Sequence, residues 1–209
     1  MIGKFIVFEG GEGSGKTFQI ALLQKKLKKL GKKVIVTHEP GGTALAEQIR
    51  HVILFPQKKK PEAKTELFLF LASRQEHVVE KLIPALKKGY YVLCDRFSGS
   101  TLAYQIGARG LKDEKLIIVM DKFAKNNLKE DLVIYLDVDP KIGLARRKKD
   151  TLANNLTSFD KETLTFHNKV RKYFNKLVKN NKNWVKINAN KTLSENETEI
   201  YEIISKKIK

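Results

Sequence analysis

The sequence predicts an α/β fold in which helices cover both faces of a five-stranded parallel β-sheet. Short apolar, β-branched stretches alternate along the 209 residues with longer stretches of helical periodicity, and this alternation is typical of parallel sheets. Residues 132–136 are almost continuously apolar, as expected for a strand that is buried on both faces. A glycine-rich segment at residues 10–17 lies between the first predicted strand and the first predicted helix. Because ligands of such folds bind at the carboxyl ends of the strands, this segment marks the expected site.

The predicted elements follow one another without an internal repeat or an interdomain linker. Strands are expected at residues 5–8, 33–37, 90–94, 132–136 and 184–187. Helices are expected from the glycine-rich segment to Gly31, and then at residues 43–54, 62–88 (in two pieces), 98–105, 112–126, 139–149, 161–179 and 195–208. Gly31 is placed to stop the first helix, and Thr43 is placed to cap the second. Residues 150–158 are polar and predict a mobile loop.

Residues 10–17 carry the pattern G-x-x-x-x-G-K-T between a strand and a helix, which is the context in which this pattern predicts a phosphate-binding loop. Glycines let the backbone N–H groups point inward, and the start of the helix adds partial positive charge. Lys16 is placed to reach the outer phosphates, and the Thr17 hydroxyl is placed to bind Mg²⁺. The sequence therefore predicts a nucleoside triphosphate site. Its residues are Gly10, Gly11, Glu12, Gly13, Ser14, Gly15, Lys16 and Thr17.

A second pair of residues suited to phosphate chemistry, Asp95 and Arg96, follows the strand predicted at residues 90–94. An aspartate at the tip of a strand can hold the Mg²⁺ shell, and an arginine beside it can bind a phosphate with two parallel hydrogen bonds. Both phosphate-directed elements thus fall at carboxyl ends of strands, where ligands are expected.

The composition narrows the class of protein. A chain of 209 residues is long enough for one well-filled core, so we expect a single domain over residues 1–209. No apolar stretch approaches the roughly 20 residues of a membrane helix, and residues 1–4 lead directly into the first strand, so we expect no signal peptide. Cys94 is the one cysteine, which excludes an internal disulfide and fits the reducing cytoplasm. The four histidines are dispersed and do not predict a zinc site.

The net charge of +18 raises the alternative of a nucleic-acid-binding protein. The lysines are mostly spread over helix faces, a loop at residues 58–60 and the C-terminus. No basic segment is interleaved with aromatic residues in the way that favours stacking on single-stranded bases. A lysine-rich composition and attraction of anionic nucleotides explain the charge as well, and nucleic-acid binding is not favoured as the main function.

Six longer motifs follow one another along the whole chain. They are F-E-G-G-E-G-S-G-K-T at residues 8–17, E-P-G-G-T at 39–43, L-F-L-A-S-R at 69–74, D-R-F-x-x-S-T-x-A-Y-Q at 95–105, Y-L-D-V-D-P at 135–140 and F-H-x-K-V-R at 166–171. In this order they resemble the bacterial-type thymidylate kinases. The resemblance implies a P-loop nucleoside monophosphate kinase with a three-layer fold, which transfers the γ-phosphoryl group of ATP to dTMP. The residues at 10–17 then become ATP-binding residues.

The resemblance also implies how dTMP binds. Phe70 stacks on the thymine ring, and Arg74, four residues along the same helix face, hydrogen-bonds the edge of the ring. Thr101 and Gln105 complete the base pocket, and Tyr104 lies under the sugar, where a 2′-hydroxyl would be crowded. Taken alone, Phe70 is better interpreted as a core residue, but the presence of Arg74 and Gln105 favours the base pocket.

Further roles around the phosphates follow from the same resemblance. Arg50 and Arg96 grip the acceptor phosphate, although Arg50 also fits a solvated helix residue. Glu12 and Glu39 lie near the transferred group or the metal. Lys16, Arg96 and Mg²⁺ neutralise charge, and the metal site would consist of Thr17 and Asp95. Members of the family commonly pair as homodimers, so a homodimer is implied as well.

The chain departs from the family pattern at several positions. Phe18 stands where a small hydroxyl residue is usual, His38 stands where an arginine usually precedes E-P-G-G, and Ile106 replaces a glycine. Members without a basic residue among the variable positions of the phosphate loop supply an arginine from a lid, here at about 146–160. Ser158 occupies the place of that arginine.

Arg146, Arg147, Lys148 and Lys149 are the nearest substitutes for the missing lid arginine, and Arg147 is placed to swing inward. A missing arginine of this kind lowers the rate by about 10³-fold or more. We therefore expect an active thymidylate kinase that uses the cluster from Arg146 to Lys149, with Arg146 and Arg147 as its catalytic arginines. The alternative is a nucleotide-binding paralogue with weak or no kinase activity. A kinase with another acceptor is a third interpretation, against which Phe70, Arg74 and Gln105 argue.

Overall fold

The computed structural model describes residues 3–55, 59–150 and 156–207. Five strands in these residues form one sheet: β1 (Lys4–Gly10), β2 (Val34–His38), β3 (Tyr91–Asp95), β4 (Leu132–Asp137) and β5 (Trp184–Asn188). The α-helices are α1 (Lys16–Lys29), α2 (Ala44–Leu54), α3 (Ala63–His77), α4 (Ile83–Lys87), α5 (Ser98–Thr101), α6 (Glu114–Ala124), α7 (Pro140–Asp150), α8 (Leu164–Asn180) and α9 (Leu193–Lys207). Two π-helical segments are π1 (Val78–Leu82) and π2 (Leu102–Ala108).

The sheet is parallel throughout, in the order β2-β3-β1-β4-β5. β1 is central, and its register pairs Phe8 with Asp95 of β3 and Gly10 with Leu136 of β4. The chain passes from one side of β1 to the other, so a crevice opens at the carboxyl ends of the strands around β1, as in other open α/β sheets. The predicted α/β fold with a five-stranded parallel sheet is confirmed.

The core lies on both faces of the sheet, because successive side chains of a strand point to opposite sides. In β1, Ile6 and Phe8 pack with α1 and α9, whereas Phe5 and Val7 pack with π1 and α4. All four side chains are buried. This double burial explains why the strands read as apolar runs instead of alternating patterns.

Several local predictions hold. Gly31 adopts a φ of 71° after α1, a left-handed conformation that glycine accepts without strain. Thr43 caps α2, its hydroxyl oxygen accepting a hydrogen bond from the backbone N of Ala46 at 3.4 Å. Cys94 is buried, and burial raises the pKa of its thiol.

The helix predicted at residues 98–105 is wrong in type and extent. The structure has a short α5 followed by π2, in which the N–H of Arg109 donates to the carbonyl of Tyr104, five residues back, at 2.8 Å. Residues 62–88 also contain a π segment between their two predicted pieces. A π turn changes the helical period by one residue locally, which a search for 3.6-residue periodicity does not detect.

Parts of the predicted loops lie outside the described residues, namely 56–58 and 151–155. The predicted mobile loop at 150–158 and lid at about 146–160 can therefore be followed only at their two ends. None of the helices in the described ranges is long and apolar enough to cross a membrane.

Candidate active site

The glycine-rich segment at residues 10–17, hereafter the phosphate loop, wraps around the side chain of Lys16. The Lys16 ammonium donates to the carbonyl oxygens of Gly10 and Gly11 at 3.1 and 3.0 Å and to the hydroxyl of Ser14 at 3.3 Å. Burial, with repulsion from Arg96, lowers the pKa of Lys16. α1 begins at Lys16 itself, so its first N–H groups and its dipole face the same loop. The loop thus offers an anion-binding site.

Thr17 and Asp95 meet where the phosphate loop passes the end of β3. The Thr17 hydroxyl donates to Oδ2 of Asp95 at 3.1 Å. The other carboxylate oxygen of Asp95, Oδ1, is buried and has no hydrogen-bond partner among the described residues. A hydroxyl and an unpaired carboxylate oxygen are the donors that Mg²⁺ accepts beside its waters. The two residues therefore fit a magnesium site.

Arg96 lies beside the phosphate loop in a left-handed conformation, with a φ of 69°. Its guanidinium donates to the carbonyl of Gly10 at 2.8 Å, to the hydroxyl of Ser100 at 3.2 Å and to the carboxylate of Glu12 at 2.8 Å. A non-glycine residue in this conformation costs of order 1–3 kcal/mol, and such strain concentrates at active sites. Here the strain places a guanidinium directly against the phosphate loop.

Glu12 receives hydrogen bonds from Arg96 and from the hydroxyl of Tyr104, the latter at 2.9 Å. Burial alone would raise the pKa of Glu12, but the cations of Arg96 and Lys16 outweigh it and hold the pKa at about 2. Glu12 is therefore a carboxylate at neutral pH. It orients the Arg96 guanidinium and the Tyr104 ring in one network.

A cavity of about 670 Å³ extends from the phosphate loop to the loop and turn around Phe159, and we call it the cleft. A cleft of this size is typical of small-molecule sites. Most of the site residues predicted from the sequence line it. They are Glu12, Gly13, Ser14, Gly15, Lys16, Thr17, Glu39, Arg50, Phe70, Arg74, Asp95, Arg96, Thr101, Tyr104 and Arg147.

The far end of the cleft is aromatic. The rings of Phe70 and Tyr104 lie with their centroids 6.1 and 5.4 Å from that of Phe159. Arg74, only 1% exposed, borders the same region and donates to the hydroxyl of Thr101 at 3.0 Å. An aromatic space with a guanidinium at its edge suits a planar heterocycle.

Buried carboxylates hold Arg74 in place. Its guanidinium binds Oε2 of Glu39 at 2.8 Å and also Asp121. His77 approaches Oε1 of Glu39 at 3.0 Å through Nδ1 and Thr37 at 2.7 Å through Nε2. Both oxygens of Glu39 are thus engaged by side chains, although the residue lines the cleft.

The remaining predicted residues lie at different distances from the cleft. Arg50 lines it and donates to the carbonyl of Pro40 at 2.8 Å. Gln105 is buried behind the cleft, where its amide N donates to Glu66 at 2.7 Å. Arg146 donates instead to the carbonyl of Ala189 at 2.9 Å. The structure therefore brings Arg147, but neither Gln105 nor Arg146, to the cleft wall. Gly10 and Gly11 carry the carbonyls that face Lys16.

The structure shows what surrounds the four residues that depart from the family pattern. Phe18 is 48% exposed, and His38 binds Glu47 with its Nε2 at 2.8 Å. Ile106 packs beside the aromatic cluster of Phe166 and Tyr173. Ser158, which stands where an arginine was expected, is buried and is bound to the end of α2. At the position where the family has a lid arginine, this chain therefore has a buried serine in a turn that packs on α2.

Sequence reasoning missed Glu9, the buried carboxylate that shapes the loop after β3. Its Oε1 accepts from the backbone N–H groups of Phe97 and Ser100, each at 3.0 Å, and its Oε2 accepts from the Ser100 hydroxyl at 2.6 Å. Burial raises the pKa of Glu9 to about 7. The signal was an isolated carboxylate at the end of an apolar strand, because such a residue is almost never fully buried without a partner.

Asp160 and Asp121 were missed as well, since they act on arginines that come from other segments. Asp160 binds Arg147 at 3.1 Å, and Asp121 binds Arg74. No local pattern marks either residue.

Within the described ranges, no cluster of three or more His, Cys, Asp or Glu side chains could hold a metal ion.

A family model and several known proteins with similar sequences point to one family. The family pattern described as "Thymidylate kinase" matches residues 8–200. The thymidylate kinase of Shouchella clausii is 44% identical over 194 residues, which are 92% of this chain and 90% of the relative. That of Bacillus cytotoxicus is 41% identical over the full length of both chains, and that of Anoxybacillus flavithermus is 47% identical over 80% of this chain and 79% of the relative. This chain belongs to the thymidylate kinase family.

Proposed function

We propose that the protein transfers the γ-phosphoryl group of ATP to dTMP and releases ADP and dTDP, a step in the supply of dTTP for DNA synthesis. The observation that carries this proposal is the continuity of the cleft. One cavity joins an anion-binding loop at Lys16 to an aromatic space at Phe70 with a guanidinium, that of Arg74, at its border. A triphosphate and a pyrimidine monophosphate fit its two ends, and the family membership selects dTMP.

Phosphoryl transfer depends mainly on alignment and on neutralising charge, and it needs no nucleophilic side chain. In our proposal the phosphate oxygen of dTMP attacks the γ-phosphorus, and the bond to the ADP oxygen breaks. Lys16 and Arg96 are cations close enough to Glu12 to lower its pKa, and they neutralise the charge on the transferred group. Arg50 approaches the acceptor phosphate from α2.

The fit of Thr17 and Asp95 to a divalent cation supports Mg²⁺ as the cofactor. The Thr17 hydroxyl and Oδ1 of Asp95 would hold the ion or its waters, and when bound it would screen the phosphate charges. Arg147 is our candidate for the lid cation, because it lines the cleft. The comparisons give no support to the alternative of a paralogue without activity. The single domain over residues 1–209, the lid at about 146–160 and a cytoplasmic location stay predictions.

We further propose a homodimer, which exposed apolar side chains support. Leu116, Val119 and Phe123 form a stripe on α6 and are 57, 62 and 81% exposed. Phe68 of α3 and Val79 of π1 are also exposed, and α3 packs against α6. Contiguous apolar surface of this kind marks protein–protein interfaces.

The function is tested by measuring ADP release from Mg-ATP with dTMP, dUMP, dCMP, dGMP or UMP as acceptor. Lys16→Ala serves as the blank, and formation of dTDP is followed by chromatography. We expect turnover with dTMP well above the blank and above the other acceptors. Binding of ATP and dTMP without turnover would contradict the kinase function. Faster turnover with another monophosphate would contradict the choice of acceptor.

A further inference from the structure

Arg147 in the last turn of α7 is tied to a carboxylate that reaches it from another segment. Its Nε approaches Oδ1 of Asp160 at 3.1 Å, and its Nη2 approaches Oδ2 at 3.4 Å. The Asp160 side chain is 2% exposed, whereas that of Arg147 is 34% exposed and lines the cleft. Nη1 of Arg147 makes no hydrogen bond within the part of the chain that the structure describes. Asp160 therefore holds one edge of the guanidinium and leaves the other edge accessible.

The carboxylate of Asp160 is itself held by hydrogen bonds from its own turn. Its Oδ2 accepts hydrogen bonds from the backbone N–H and the hydroxyl of Thr157, both at 2.8 Å. The neighbouring Ser158 donates from its N–H to the carbonyl of Leu54 at 2.9 Å and from its hydroxyl to that of Ile53 at 3.1 Å. The turn at residues 157–160 is thus fastened to the end of α2, on the side of the cleft that holds the aromatic space.

The helix that carries Arg147, α7, packs directly on the phosphate loop. Gly143 lies one helical turn before Arg147, on the same face of α7. Its backbone packs so closely on the loop that an added Cβ would overlap the carbonyl oxygen of Glu12. Arg147 lines the cleft together with Gly13 and Ser14 of the phosphate loop. The position of Arg147 is therefore set by the contact of α7 with the phosphate loop and by the ion pair with Asp160.

Two of the other arginines that line the cleft, Arg74 and Arg96, are already bound to carboxylates, whereas Arg50 comes from α2 and donates to the carbonyl of Pro40 at 2.8 Å. Arg74 uses its guanidinium on Glu39, Asp121 and Thr101. Arg96 binds Glu12, a residue of the phosphate loop. Arg147 comes from α7 and also lines the cleft. Among the described residues its Nη1 has no hydrogen-bond partner, so this edge of the guanidinium is left for a ligand.

We propose that Asp160 is a positioning residue, which holds the Nε and Nη2 edge of Arg147 so that Nη1 faces the phosphoryl group that is transferred. This proposal rests on the proposed kinase function and adds Asp160 to it. A cation that is held in place before the reaction stabilises developing charge without reorganisation. The carboxylate also offsets the cost of immobilising a long side chain. Asp160 therefore acts on the rate through Arg147.

The test is a double-mutant cycle on Asp160→Asn and Arg147→Met, with kcat and the KM values for ATP and dTMP as readouts. Arg147→Met is expected to lower kcat by about 10²–10³-fold. Asp160→Asn is expected to lower kcat by about 10-fold, with the KM for dTMP changed less than about twofold. Asp160→Asn is expected to cause no further loss in the Arg147→Met protein, because the residue it positions is gone. Asp160→Glu, which keeps the charge, is expected to recover part of the rate.

Glu114→Gln is the matched control, because Glu114 binds Lys176 and Tyr173 away from the cleft. The kcat of this variant is expected to equal that of the unchanged protein. Thermal unfolding of each variant identifies loss of the fold. An equal loss of kcat on Asp160→Asn with and without Arg147 would overturn the proposal, since Asp160 would then act through the turn alone. If the unchanged protein is active and neither Asp160→Asn nor Arg147→Met changes its kcat, the proposal is overturned too. Absence of turnover by the unchanged protein would contradict the kinase function and, with it, this proposal.

Discussion

The hydroxyl of Thr17 donates a hydrogen bond of 3.1 Å to the carboxylate of Asp95 and so joins the phosphate loop to the end of β3. Asp95 is far from Thr17 in sequence, but the parallel pairing of β1 with β3 brings the two together. Asp95 keeps one buried oxygen without a partner in the described residues. This geometry supports the proposed divalent-cation site and leads to the first prediction.

Asp95→Asn is expected to raise the Mg²⁺ concentration needed for half-maximal activity by about tenfold or more, because an amide oxygen is a weaker ligand than a carboxylate. ADP release is measured over a titration of MgCl₂ at saturating nucleotide. Asp137→Asn is the matched control. Asp137 also ends a strand of the sheet, but it binds Arg171 and Lys186 instead. An equal shift in both variants would refute the assignment of Asp95.

Arg96→Lys is expected to lower kcat/KM for dTMP by about 10²–10³-fold. Lysine keeps the charge, but all its donors sit on one nitrogen, so it cannot offer a planar fork to a phosphate. Steady-state kinetics with dTMP as the varied substrate measure the effect. Arg171→Lys, on α8, serves as the control. A change of less than about threefold in kcat/KM would argue against a direct role of Arg96.

Glu9→Gln is expected to change how stability depends on pH. The pKa of Glu9 is about 7 in the folded state against a usual 4.5. Between these values the folded state binds more protons than the unfolded state, so the free energy of unfolding falls as the pH rises through this window. The total loss is about 3 kcal/mol. Glutamine keeps an oxygen for the N–H groups of Phe97 and Ser100 but does not titrate.

Urea unfolding at pH 5 and pH 8 measures this effect. The stability of Glu9→Gln relative to the unchanged protein should increase between the two pH values. Glu80→Gln, at an exposed position, should show a constant difference. A constant difference for Glu9→Gln as well would mean that the Glu9 carboxyl does not titrate in this range.

Gly143→Ala tests the close packing of α7 on the phosphate loop. In an open helix this substitution stabilises a protein by about 1 kcal/mol. Here the added Cβ would overlap the carbonyl oxygen of Glu12, so we expect a loss of about 1–3 kcal/mol together with a lower kcat. Gly11→Ala is the control for stability in the loop itself, because its Cβ would meet nothing within 4 Å. If Gly143→Ala is more stable than the unchanged protein, α7 is not locked to the loop.

Phe123→Glu and Val119→Glu are expected to convert the proposed dimer to monomers, because a buried carboxylate without a partner is costly at an interface. Light scattering after gel filtration measures the mass. Lys29→Glu is the control, since α1 lies on the opposite face of the sheet from α6. An unchanged mass in both α6 variants, or a monomeric unchanged protein, would show that this stripe is not the interface.

Much of the fold followed from local pattern. The apolar stretch before residue 10, the glycines and the amphipathic segment to Gly31 each specify their own structure, so β1, the phosphate loop and α1 were all predicted. The boundary of π2 was not, because hydrogen bonds from residue i to i−5 depend on what packs around the helix. That segment carries Tyr104 and Gln105, and its geometry sends only Tyr104 to the cleft.

By itself, the sequence determined the α/β class, the phosphate loop and the chemical types of the side chains near it, since these depend on neighbouring residues and on hydrophobic periodicity. Only the tertiary structure decided which polar side chains meet. Glu9 reaches Ser100 across 91 positions of the chain, Asp121 reaches Arg74 across 47, and Asp160 reaches Arg147 across 13. It also separated Arg147, at the cleft wall, from Arg146, which binds a backbone carbonyl. Adjacent residues on a helix point about 100° apart, and only the packing of α7 determines which of them faces the ligand.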